Sequence, residues 1–102
     1  MEIIDRKKLE ALYGSDETSV DIIHMFIDQA PDYISSLEDA INNNQDDLLA
    51  KLCHKGIGQA RYIASPPVEA ILAKLPQSET QAQHEHLKTL KSYIQVIINA
   101  YK

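Results

Sequence analysis

Apolar residues recur along this chain at three- and four-residue spacing, and nowhere in a sustained alternation of two. Ile23, Phe26, Ile27, Ala30, Tyr33, Ile34, Leu37 and Ile41 form the longest such series, which predicts a helix from about Ser19 to Asn42. The acidic stretch from Ser15 to Ser19 leads into it, and Pro31 falls inside it. Because the stripe stays in phase beyond the proline, a kink is expected there rather than an end. Upstream, Asp5 as N-cap and Gly14 as C-terminal stop bound a short helix that ends at Tyr13. The polar run Asn42, Asn43, Asn44, Gln45 is a short turn, so the second and third helices are antiparallel neighbours. The third helix starts near Asp46 and stops before Ser65, since Pro66 and Pro67 cannot continue it. The same prolines open a fourth helix, with Ser65 as N-cap and a stripe of Val68, Ile71, Leu72 and Leu75 that runs to Pro76. Ser78 and Gln81 have the spacing of a capping box for the last helix, which Leu87, Leu90, Ile94, Ile97, Ile98 and Tyr101 stripe almost to its end.

These elements predict an all-α fold, an antiparallel four-helix bundle with the short N-terminal helix as a lid, and one domain spanning residues 1–102. Composition narrows the partners. The net charge is -5 with no clustered Lys/Arg stripe, which argues against nucleic acid and anionic membrane surfaces and for other proteins. No apolar run approaches the length of a signal core or a membrane span. The single cysteine, Cys53, cannot form an internal disulfide, and a reducing, cytoplasmic setting is expected. A monomer is expected as well.

A bundle of this kind is a scaffold unless some reactive residue faces outward in a prepared setting, and the third helix offers one. At about 100° of rotation per residue, Leu49, Leu52, Cys53, Gly56, Ala60 and Ile63 share a face, and His54 points about 145° from its centre. Ala50 and Gly58, four residues before and after, leave the imidazole standing between two small neighbours. Lys51 and Arg61 lie on nearly the same side and would screen an anion placed on the ring. Each mid-helix glycine costs about 1 kcal/mol relative to alanine and needs a reason. For Gly56, on the buried face, that reason is close approach of another helix. For Gly58, on the outer face, it is clearance for something that docks over His54. The remaining histidines read as surface residues: His24 stands among Asp21 and Asp28, and His84 and His86 diverge by about 200° and cannot share a metal. No metal site is expected.

The segment from Leu52 to Ala64 resembles the active-site helix of histidine-phosphotransfer (HPt) domains. In that pattern a histidine is followed four residues later by glycine, then by small residues, then by a hydrophobic and a small residue before the helix ends. His54, Gly58, Ala60, Ile63 and Ala64 occupy those positions. Met25, Phe26, Ile27, Asp28, Gln29, Ala30 and Pro31, then Leu37 and Ala40, resemble the family's second helix, and the likeness covers about residues 5 to 75. Two positions depart from it. The usual lysine three residues past the histidine is Ile57, and the small polar residue after the glycine is Gln59. Lys55, one residue past His54, projects about 100° away from it.

The resemblance implies a phosphocarrier rather than an enzyme. His54 would accept a phosphoryl group from the aspartate of one receiver domain and pass it to another, in response regulators or hybrid kinases. Gly58, Ile57, Ala50 and Met25 would form the docking surface, with Lys51 and Arg61 screening charge. Imidazole suits the task, because its ordinary pKa of about 6.5 leaves a nucleophilic nitrogen at pH 7. No cofactor is expected on this chain; Mg²⁺ would come with the receiver. The alternative is a bundle of the same fold that docks receiver or kinase domains without transferring phosphate.

Overall fold

The computed structural model of the chain describes residues 2–101. Five helices account for most of them: α1 (Arg6–Tyr13), α2 (Asp16–Asn42), α3 (Asp46–Tyr62), α4 (Pro66–Lys74) and α5 (Thr80–Tyr101). A single 3-10 turn, Leu75–Gln77, carries α4 through Pro76, and the described residues contain no strand. Helices α2, α3, α4 and α5 each pack on the next, and α5 closes back on α2, so the four form an antiparallel bundle. Twenty-seven residues at about 1.5 Å of rise make α2 about 40 Å long. The molecule's long axis is 41 Å, so α2 sets its length.

Helix α2 starts earlier than the apolar stripe suggests. Ser15 is its N-cap, accepting from the Thr18 N–H, and Asp16 and Glu17 occupy the first turn, where negative charge suits the helix dipole. The helix then runs through Pro31 unbroken. Pro31 is exposed, while Ile27, Ala30 and Leu37 on either side of it are buried, so burial holds the helix across the hydrogen bond the proline removes. The expected capping box at Ser78 does not form. Ser78 ends the 3-10 turn, its hydroxyl donates back to the Lys74 carbonyl, and α5 begins two residues later.

The ends of α2 and α3 are built alike. After α2 the Gln45 N–H donates to Ala40 and the Asn44 N–H to Ile41, around a left-handed Asn44 at φ 53°. After α3 the Ser65 N–H donates to Ala60 and the Ala64 N–H to Arg61, around a left-handed Ala64 at φ 53°. Both are Schellman endings, which satisfy otherwise orphaned carbonyls. The N-terminal segment fastens the second of them. The Asp5 N–H donates to Ala64 O at 2.7 Å, the Ser65 hydroxyl to Ile3 O at 2.6 Å, and the Tyr13 hydroxyl to Tyr62 O at 2.6 Å. Thus α1 and its lead-in cover the C-terminal end of α3, with Ile3, Ile4 and Leu9 buried beneath.

The buried face of α3 is made of Leu49, Cys53, Gly56 and Ala60, a run dominated by small side chains. At Gly56 an added Cβ would collide with the Tyr33 hydroxyl and lie 2.7 Å from Tyr33 Cζ and 2.9 Å from Leu72 Cδ1. Gly58 is the opposite case, with nothing within 4 Å of where its Cβ would be.

Two outcomes follow from this packing. Gly58→Ala should raise stability by about 0.5–1 kcal/mol, the propensity gain alone. Gly56→Ala should lower it, because overpacking of about 1–3 kcal/mol exceeds that gain. Urea unfolding of the two variants reads opposite signs for one chemical change. Ser65→Ala removes both an N-cap and the donor to a buried carbonyl, and should cost about 2 kcal/mol in the same measurement.

Candidate functional site around His54

His54 lies in the middle of α3, and its imidazole is exposed, as the helical phase predicts. Neither ring nitrogen has a hydrogen-bond partner among the described residues, so both are open to solvent or to a docked molecule. Ala50 and Lys51 are exposed beside it, and Gly58, one turn on, leaves empty space where a side chain would stand. Ile57 is half-buried and packs against the core, so it forms an apolar border to the imidazole on the side that turns inward. The structure thus brings His54, Ala50, Lys51 and Gly58 onto one open face of α3, bordered by Ile57.

Arg61 stands differently from what helical phase alone implies. Its Nε is 2.5 Å from Glu69 Oε1 of α4, so its charge is already shared across the α3–α4 seam. Lys51 and Lys55 make no ion pair among the described residues and carry the uncompensated positive charge on this part of α3. Met25 belongs to a neighbouring feature. It is 58 % exposed and lines an apolar groove of about 240 Å³ between α2 and α3, together with Ile22, Phe26, Gln59, Tyr62 and Ile63. Tyr62, 68 % exposed, borders the same groove, which begins on α3 five residues beyond His54. Sequence reasoning did not single out Tyr62. Its signal was an aromatic residue on the otherwise polar outer side of α3, one turn past Gly58.

Tyr33 is the other residue whose role in the site was not foreseen. Its hydroxyl donates to the Leu52 carbonyl at 2.6 Å, within the helical turn that carries His54. Burial, and then the neighbouring Cys53, push the phenol above its ordinary range, while the Gly56 N–H facing its oxygen acts in the opposite direction. The group therefore stays a protonated donor. Burial pushes the Cys53 thiol up to about 12, which keeps it neutral and inert beside His54. The remaining histidines keep away from this face. His24 sits on the Tyr101 carbonyl at 2.7 Å, and His84 and His86 are on α5.

No three metal-ligating side chains gather among the described residues, and no helix there is long and apolar enough to cross a membrane. What the face offers is one accessible imidazole, positive charge beside it, small neighbours and an apolar groove alongside. Neither the curated proteins nor the solved structures compared with the chain include a match. The Hpt domain family matches it over residues 21–100, which takes in α3 with His54 and the whole four-helix bundle from the first turns of α2 onward, and the chain belongs to that family.

Proposed function

We propose that this protein is a phosphocarrier that accepts a phosphoryl group on His54 from one receiver-domain aspartate and donates it to another. The family is one of histidine phosphotransfer in phosphorelays, and its members interact with receiver domains. The observation that carries the reading to this residue is the pairing of an exposed, unpartnered His54 with the empty space over Gly58, in the middle of a rigidly packed helix.

In the proposed reaction the lone pair of an unprotonated ring nitrogen attacks the phosphorus of the aspartyl phosphate. The bond from phosphorus to the carboxyl oxygen breaks, the carboxylate keeps that electron pair, and the proton on the other ring nitrogen is released to solvent. Such a transfer is chiefly a matter of in-line positioning and charge neutralisation. The receiver would supply Mg²⁺ and its own charged residues, and this chain would supply nucleophile, access and the positive field of Lys51. Gly58, Ala50, Ile57 and the groove beside Met25 would receive the partner's surface. A carrier with no cofactor of its own fits this division of work, and cytoplasmic location and a monomeric state fit it as well.

One observation favours a second reading. Ile57 stands where the family's usual lysine would be, and a bundle that lost transfer but kept docking would tolerate that change. Purified receiver domains charged with acetyl phosphate separate the two. Wild-type protein should acquire an acid-labile, alkali-resistant phosphoramidate on His54, and His54→Gln should acquire none while unfolding at the same temperature. A His54→Gln variant that binds receivers as the wild type does, beside a wild type that is never labelled, would establish docking alone.

Charge screening has its own readout. Lys51→Ala should slow transfer more than Arg61→Ala, since Arg61 is already paired with Glu69. The difference should shrink as salt rises from low to physiological strength. Equal slowing would show that the Glu69 pair does not withhold Arg61 from the site, and no slowing by Lys51→Ala at low salt would remove Lys51 from it.

A further inference from the structure

Tyr33 reaches from α2 to the one turn of α3 that bears His54. Its hydroxyl donates to the Leu52 carbonyl at 2.6 Å and lies against residue 56, where a Cβ would collide with it, so the phenol touches both ends of the turn from Leu52 to Gly56. A backbone carbonyl has two acceptor sites, so Leu52 can hold the tyrosine without giving up its helical bond. The ring fits because residue 56 has no side chain. Any Cβ there would strike Tyr33 from the α2 side and come within 2.9 Å of Leu72 from the α4 side. At this level α3 is pinched between two helices and bonded to one of them.

We infer that Tyr33 is a positioning residue for phosphoryl transfer: its hydroxyl on Leu52, seated over the notch at Gly56, fixes the roll of α3 and so the direction in which His54 meets a docked receiver. The inference rests on the reading that His54 is the phosphoryl carrier. His54 and Gly56 are two residues apart, about 200° around the helix, so the clamp and the nucleophile lie on opposite sides of the α3 axis. A roll about that axis carries the imidazole through an arc. With side chains about 5–6 Å from the axis, a roll of about 20° displaces the ring by about 2 Å, and a misplacement of about 1 Å can cost about a hundredfold in rate. Tyr33 also stands on the helix that supplies Met25 and Phe26 to the groove. One side chain therefore ties the orientation of the nucleophile to the α2 surface beside it.

Tyr33→Phe tests this, since it keeps the ring in the notch and removes only the hydroxyl. Single-turnover transfer from an acetyl-phosphate-charged receiver should fall about tenfold, with receiver affinity unchanged. Labelling of His54 by free phosphoramidate should also be unchanged, because a small donor follows the ring wherever it points. Residual dipolar couplings of the amides of residues 49–60 should report an altered orientation of α3 against α2. Unchanged transfer, whatever the melting temperature does, would overturn the inference and leave Tyr33 a packing residue. So would a parallel loss with phosphoramidate, which places the effect on the imidazole itself, or a loss of affinity that accounts for the slower rate. If no receiver charges the wild type, the carrier reading fails separately. The couplings then decide alone: an unchanged α3 orientation overturns the inference and a changed one sustains the clamp.

Discussion

The close packing of α3 against two helices at once is the constraint on which the rest of this structure depends. A helix with one side exposed can bury only the other side, and it must be held firmly by that half. Leu49, Cys53, Gly56 and Ala60 supply little volume, so α2 and α4 can approach near the α3 backbone. Close approach brings Tyr33 and Leu72 into contact with the notch at Gly56, where a larger residue would have kept them apart. A stiff interior of this kind lets an exposed side chain keep a defined direction without partners of its own.

The ends of α3 serve the same purpose. At its start, the left-handed Asn44 turns the chain sharply out of α2, and Asp46 and Asp47 place negative charge at the positive end of the helix dipole. At its close, the segment from Ile3 to Asp5 bonds Ala64 and Ser65, and Tyr13 bonds the Tyr62 carbonyl. Fraying of the last turn, next to Tyr62 and the apolar groove, is thereby opposed. The short N-terminal helix acts less as a cover over the bundle than as a strap on the end of the helix that carries the site.

Much of this was legible in the sequence, for identifiable reasons. Amphipathic spacing is set by the geometry of the helix, so the faces of α2, α3 and α5 could be read, and His54 fell outside the buried face of α3 on phase alone. Prolines and Gly14 mark boundaries through their own backbone restrictions, so the joints at Gly14 and Ser65 were readable too. The ending at Ala64 was not, because alanine carries no left-handed preference; the bonds from its N–H to Arg61, from the Asp5 N–H to its carbonyl and from the Ser65 N–H to Ala60 impose the conformation. The capping box at Ser78 failed because the 3-10 turn through Pro76 claimed that hydroxyl first. Arg61 was placed on the correct face of α3, but its pairing with Glu69 depends on how α4 returns, which no single-helix argument contains. Tyr33 was visible only as one more member of an apolar stripe, since a hydroxyl bond between helices has no sequence period.

The substitution at position 57 follows from the same packing. Ile57 is half-buried against the core, flanking Cys53 on the side of α3 that leads toward the buried face. A lysine there would lay its methylene stem along that apolar surface and extend only its ammonium toward the imidazole. Isoleucine covers the same surface at a smaller entropic cost, since it has fewer rotamers to lose. What it gives up is the cation, and the exposed side of α3 already holds Lys51 one turn before His54 and Lys55 directly after it, neither of them paired among the described residues. In the proposed carrier, a mobile charge on an exposed stem would follow a phosphoryl group as it moves from carboxylate to imidazole, whereas an apolar border on a packed core would not shift. Under that proposal the arrangement divides two demands that a single lysine would have to meet together: the half-buried position would shape the surface a partner meets, and the exposed positions would give it charge.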